Sequence, residues 1–178
     1  MSEVWDFPAY AFELGLDQIR TAYRAAMEGC EVQISKARRE AEIFREANSP
    51  FSSEDSEEWL QLVDLGCVKG LAEAGKSEIR EAFVLSAFHH WERWMRRRTG
   101  EQGSFTTLSK AAQDIGYTHP RPGILNSLCN LLKHDNVDHA EALASQWSEL
   151  FGELPHGVPG QREWKLAIQD HHIEQVSI

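Results

Sequence analysis

The sequence predicts an all-α fold, a helical bundle with an additional long N-terminal helix, on three observations. Apolar residues recur at spacings of three and four over long stretches, the period of a helix with one buried face. No stretch alternates apolar and polar residues as a half-buried strand does. Glycine, proline and serine clusters punctuate the chain at helix-length intervals. With 178 residues and no internal repeat, the simplest organisation is one helical domain with a real core.

Residues 1–15 carry Trp5, Phe7, Tyr10 and Phe12 and are expected to form an extended arm, because Pro8 interrupts an early helix. Residues 16–75 hold the N-terminal helices. The first of these spans Asp17 to Asn48, with Ile19, Tyr23, Ala26, Cys30, Ile34, Ala37, Ala41 and Phe44 inward, a mixed-charge outer face and Asp17 as N-cap. Asn48-Ser-Pro-Phe-Ser-Ser breaks the chain, and Ser53 or Ser56 caps a shorter helix marked by Trp59, Leu60, Val63 and Cys67. Gly66, Gly70 and Gly75 place a bend near Gly75.

A core region follows over 77–151. Its central helix, Glu78 to Arg98, puts Ile79, Phe83, Ser86, His90 and Trp94 on one stripe, widened by Ala82, Ala87 and Trp91. His89 and His90 are neighbours and point about 100° apart, so one is expected to pack and the other to be exposed. Gly100 closes this helix. A short helix is predicted from Thr107 to Ile115, then a rigid loop from Tyr117 to Gly123. Ile124 to Asn136 forms the next helix, and Asp138 caps one with Ala140, Leu143, Trp147 and Leu150 inward. Gly152 to Gly160 is a proline-containing loop, and the tail over 160–178 is helical from Trp164 before it frays.

The net charge of −10 disfavours a protein that coats nucleic acid through its overall charge. Its distribution is uneven. From Arg93 to His134 seven cations face two acidic residues, a local +5 against −15 elsewhere. Arg93, Arg96, Arg97 and Arg121 are the candidates for a local basic surface within it, although cations at a helix end are also favoured by the helix dipole alone. Cys30, Cys67 and Cys129 are odd in number and widely spaced, as expected of reduced thiols. The start lacks a signal-peptide pattern and no apolar run approaches a membrane span, so a cytoplasmic protein without membrane association is expected.

The most site-like stretch is the helix from Ile124. Asn126, Asn130 and His134 lie four apart and make one polar stripe beside the apolar stripe of Leu125, Leu128 and Leu132, with Lys133 next to the imidazole. The same stripe would also serve simply to solvate a helix edge. An imidazole is the side chain suited to proton transfer near neutral pH. His134, Asn130 and Lys133 are the candidate site residues of this helix.

A long helix ending in basic residues, a short loop and helix, and a helix of the form Asn130-x-x-x-His134 together resemble the HEPN superfamily, in particular its toxin-like members from bacterial defence and toxin–antitoxin systems. The resemblance covers roughly Ser77 to Leu150. It implies metal-independent cleavage of RNA with His134 as general acid or base, Asn130 as orienting group or phosphate donor and Lys133 as a point cation, RNA contacts from Arg93, Arg96, Arg97 and Arg121, no cofactor, and a homodimer with the Asn/His helices facing each other. The family's motif arginine falls on Cys129, so Lys133, Arg93 or Arg121 would have to supply the cation. The substitution equally suits a catalytically inactive relative, a helical interaction module or antitoxin-like subunit that grips a protein partner through the long N-terminal helix and the aromatic arm. A remote alternative is an HD-type metal phosphohydrolase built on His134-Asp135 with His119, His139 and Asp170, but Asn136 and Val137 follow the pair in place of that family's usual aliphatic residue and glycine. On this reading no metal site is expected, and Asp170-His171-His172 is a solvated or partly packed helix end.

Overall fold

The computed structural model describes residues 7–48, 56–134, 137–151 and 166–175. Among them the chain is all-α. Its elements are α1 (Phe7–Asn48), α2 (Glu57–Thr99), α3 (Phe105–Asp114), α4 (Arg121–His134), α5 (Val137–Gln146), a 3-10 turn at Ser148–Leu150, and α6 (Asp170–Gln175). Phe151 and Leu166 form an isolated antiparallel bridge. Trp5, Ser53, Asp135 and the loop at 152–160 lie outside the described residues. None of the helices among the described residues is long and apolar enough to cross a membrane.

The helices extend further than their spacing predicts. The aromatic arm is helical from Phe7, a correction to the extended arm expected there. Pro8 sits in the first turn, where the amide hydrogen it lacks would have no intrahelical partner anyway. Asp17 is consequently an interior residue paired with Arg20 at 3.0 Å and not a cap. The bend expected near Gly75 is also absent, since α2 runs unbroken through Gly66, Gly70 and Gly75. Each glycine costs a helix interior only about 1 kcal/mol, which packing along a helix of this length offsets. Ser56 caps α2 as expected, its Oγ accepting the Trp59 N–H at 3.2 Å.

The chain packs as two compact units. One, Thr21–Ile79, is a helical hairpin made of the C-terminal part of α1 and the N-terminal part of α2. Its seam buries Met27, Ile34, Ala37 and Ala72. Charge pairs flank that seam, with Lys76 on Glu31 and Arg38 3.5 Å from Glu73, and their order shows the helices running antiparallel. Leu60, Leu71, Val32 and Ile43 remain exposed on the hairpin.

The other unit joins the start of the chain up to Arg20 to Arg80–Ile178. Its core is built on α2, where Phe83, Val84, Ala87, Phe88, Trp91 and Met95 are buried. The buried stripe is thus turned from the one expected, leaving Ser86 and Ala82 exposed. Leu108 and Ala112 of α3, Leu125, Leu128, Cys129 and Leu131 of α4, Ala140 and Leu143 of α5, and Leu150, Phe151, Ile168 and Ile173 complete this core. From α1, Phe12 and Leu16 enter it, so an aromatic of the expected arm docks on the body. Ser104 caps α3 by accepting the Thr107 N–H. Gly100, at φ +75°, ends α2 in the left-handed conformation that favours glycine.

Candidate functional site

Two helices of the larger unit meet at a cluster of charged side chains. On α2, His89, Glu92, Arg93 and Arg96 fall within two turns, and α4 brings Lys133 up to them. Lys133 Nζ lies 2.9 Å from His89 Nε2, and His89 Nδ1 lies 3.2 Å from Glu92 Oε2. An ammonium can only donate, so Nε2 holds the lone pair and Nδ1 carries the proton that His89 donates to Glu92. A carboxylate that fixes the tautomer and a cation resting on the free nitrogen make an oriented imidazole. The His89 side chain is 41% exposed, so its ring is open to a ligand.

Glu92 is anchored in turn. Its Oε1 accepts from Arg96 at 2.7 Å. Burial pushes the Glu92 carboxyl up, but hydrogen bonds from Arg96 and His89, together with the charge of Arg96, outweigh this and hold it below its ordinary value. Arg96 also donates to the Gly103 carbonyl at 2.9 Å and the Glu101 carbonyl at 3.4 Å. Its donors are therefore engaged in holding the turn after α2.

Beside His89 a groove of about 590 Å³ is lined by Ile19, Leu85, Ser86, His89 and Arg93. Arg93 is exposed, and its Nε donates to the His89 carbonyl at 3.3 Å. Arg97 is exposed, and Arg98 lies 5.4 Å from the centre of the Trp94 ring.

Of the residues singled out from sequence, Lys133, Arg93 and Arg96 are brought to this cluster. Asn130 is half-buried one turn before His134, which is exposed in the last turn of α4. Arg121 is the first residue of α4, about 20 Å along the helix from His134 at 1.5 Å per residue, so it does not complete a site there. Cys129, at the position of the motif arginine, is 1% exposed and faces the core. Burial pushes its thiol up to about 12, with Lys133 opposing and Glu92 reinforcing the shift, so Cys129 is not a nucleophile.

His89 and Glu92 were not among the site residues read from sequence. The signal for them is local: a histidine three residues before a glutamate on a helix places the two side chains together. His90, its neighbour, packs inward, stacked on Phe12 with ring centres 5.0 Å apart and Nε2 2.9 Å from the Phe12 carbonyl.

Among the described residues, the ligands of the metal phosphohydrolase alternative do not gather. His119 Nδ1 accepts the Arg121 N–H, Asp170 is paired with Arg80 at 2.8 Å, and His139 is half-buried on α5. Among the described residues, neither these side chains nor His134 belong to a group of three with metal-ligand spacing. No known protein family, curated protein or solved structure matches the chain.

Proposed function

We propose that the chain is a HEPN-like RNA-binding protein that cleaves RNA without a metal, with His89 and Lys133 at the centre of its site. The observation that carries this reading is the His89 imidazole, oriented by Glu92 and capped by Lys133 at the edge of a groove. Cleavage requires a base for the ribose 2′-hydroxyl, a cation for the phosphate and an acid for the leaving 5′-oxygen. His89 Nε2 suits the first role. Lys133 holds that lone pair in the free protein and is drawn from it to an incoming phosphate, so substrate binding itself uncovers the base. The 2′-oxygen attacks phosphorus as its proton passes to Nε2, and the 5′-oxygen leaves with a proton from the acid. The products are a 2′,3′-cyclic phosphate and a 5′-hydroxyl. His134, exposed and next to Lys133 on α4, is the candidate acid. Arg93 and Arg97 supply exposed positive charge along the RNA. In this reading two copies associate with α4 of one facing α4 of the other.

The test is cleavage of a mixed RNA pool in excess EDTA by the parent, His89→Ala, Lys133→Ala and His134→Ala. The proposal expects cyclic-phosphate ends from the parent and loss of about a hundredfold to ten-thousandfold in rate on removing His89. Full activity of His89→Ala would move the base elsewhere. A second reading, a helical interaction module of antitoxin type, is favoured by the exposed Leu60, Leu71, Val32 and Ile43 of the hairpin. Absence of cleavage by the folded parent would select it.

A further inference from the structure

A second cluster of donor side chains lies at the other end of the larger unit's sequence, where the 3-10 turn after α5 and the short α6 supply Glu149, His171 and His172. One potential ligand atom from each lies within 4.8 Å of the others. His171 and His172 are adjacent in sequence, yet their ring centres are only 3.8 Å apart.

His172 gives this cluster its fixed point. The residue is 1% exposed, the one buried polar or charged side chain among the described residues. Its Nδ1 accepts the Gln169 N–H at 3.0 Å, an interaction that closes the first turn of α6 in the manner of a capping box. Its Nε2 is buried and meets no hydrogen-bond partner. An orphaned nitrogen of this kind carries a cost that a native fold ordinarily avoids.

We propose that Glu149, His171 and His172 form a binding site for a divalent transition metal of the zinc class. Two imidazole nitrogens and one carboxylate oxygen suit zinc, copper or nickel and are a poor set for magnesium or calcium, which take oxygen ligands. Tetrahedral zinc with bonds of about 2.0–2.1 Å needs its ligand atoms roughly 3.3 Å apart, so the cluster must contract. Glu149 and His171 are exposed and can move, while His172 stays as the buried anchor. The Gln169 N–H bond holds the ring proton on Nε2, so coordination through that nitrogen requires the proton to move to Nδ1 and the Gln169 N–H, which would then face a second donor, to turn away from the ring. Three protein ligands leave a fourth position for water or a further ligand.

The site is tested on the full chain, freed of metal with a chelator that is then removed, by calorimetric titration with zinc chloride. The expected result is one equivalent bound, with affinity reduced at least tenfold in His171→Ala and in Glu149→Gln. Both residues are exposed, so these variants decide the matter whether or not His172→Ala folds. Cobalt substitution provides the second readout, with visible absorption bands of a low-coordinate nitrogen and oxygen site in the parent that are lost in both variants. Zinc binding of unchanged strength in the two variants would overturn the proposal, as would no binding above that of magnesium.

Discussion

Replacing Gly15 by alanine should destabilise the protein, although the same change in an exposed helix interior stabilises by about 1 kcal/mol. A Cβ at Gly15 would run into the His90 imidazole, whose ring atoms are its three nearest neighbours. That ring cannot simply turn aside. It stacks on Phe12, its Nε2 bonds the Phe12 carbonyl, and Phe12 in turn lies 4.8 Å from Trp94. Displacing it gives up a hydrogen bond of about 1 kcal/mol and overpacks the contact by a further 1–2 kcal/mol. After the helix gain is subtracted, the net loss is about 1–2 kcal/mol, or a Tm lowered by roughly 2–8 °C for a chain of this size. Thermal unfolding followed by tryptophan fluorescence measures it. In a His90→Ala background the obstacle is gone, and Gly15→Ala should stabilise by about 1 kcal/mol, giving a coupling of about 2–3 kcal/mol between the two positions. Stabilisation by Gly15→Ala in the parent, or additivity in the double variant, would refute the packing of α1 on His90.

The remaining predictions concern the charged cluster and the thiols. Glu92 has its folded pKa held below the ordinary 4.5, so its contribution is complete above that value and is lost as pH falls through the folded pKa. Denaturant unfolding should show Glu92→Gln less stable by about 1–2 kcal/mol at pH 7 and lacking this acid-side slope. Cys129, buried with its pKa near 12, should resist a thiol reagent at pH 8 while exposed Cys67 reacts, and mass spectrometry of the labelled peptides distinguishes them. His134→Ala should keep the parent's thermal stability, since the residue is exposed, and on the proposed function should lower RNA cleavage. A circular dichroism melt beside the cleavage assay reads both.

The helical period was legible because it depends on spacing alone. Ile34 and Ala37 are inward as their positions predict, while Met27 is buried in place of its neighbour Ala26, and Ser56 and the glycine at 100 mark helix ends as expected. Where the helices stop was less legible at Pro8 and Gly75, because both residues weaken a helix by amounts that tertiary packing overrides. The face of α2 was misjudged for a related reason. Phe88 and Met95 join Phe83 and Trp91 in the core, and only the packing of α3 and α4 decides between two overlapping stripes. At the site, the sequence puts Lys133 beside the imidazole of His134, its neighbour on α4, whereas the 2.9 Å contact of Lys133 is with His89, 44 positions earlier. A contact across that separation depends on how α2 and α4 pack and leaves no periodic trace. Glu92 was missed because a glutamate on a helix is ordinarily solvated, and here it is partly buried by the fold and fixed by an arginine and a histidine from its own helix.

The corner between α2 and α3 also bears on the order in which the chain folds. Thr99 Oγ accepts the Glu101 N–H, the Glu101 carboxylate accepts the Gly103 N–H, and Ser104 caps α3. Arg96 closes the whole turn from a position only seven residues before Gly103. All of these bonds are short in sequence, so little loop entropy is lost in making them. The corner can form before α4 arrives with Lys133, and it fixes Arg96 and Glu92 in advance. The charged cluster is then completed by a single docking step, that of α4 on a prepared surface, and substitutions at Arg96 should slow folding more than they speed unfolding.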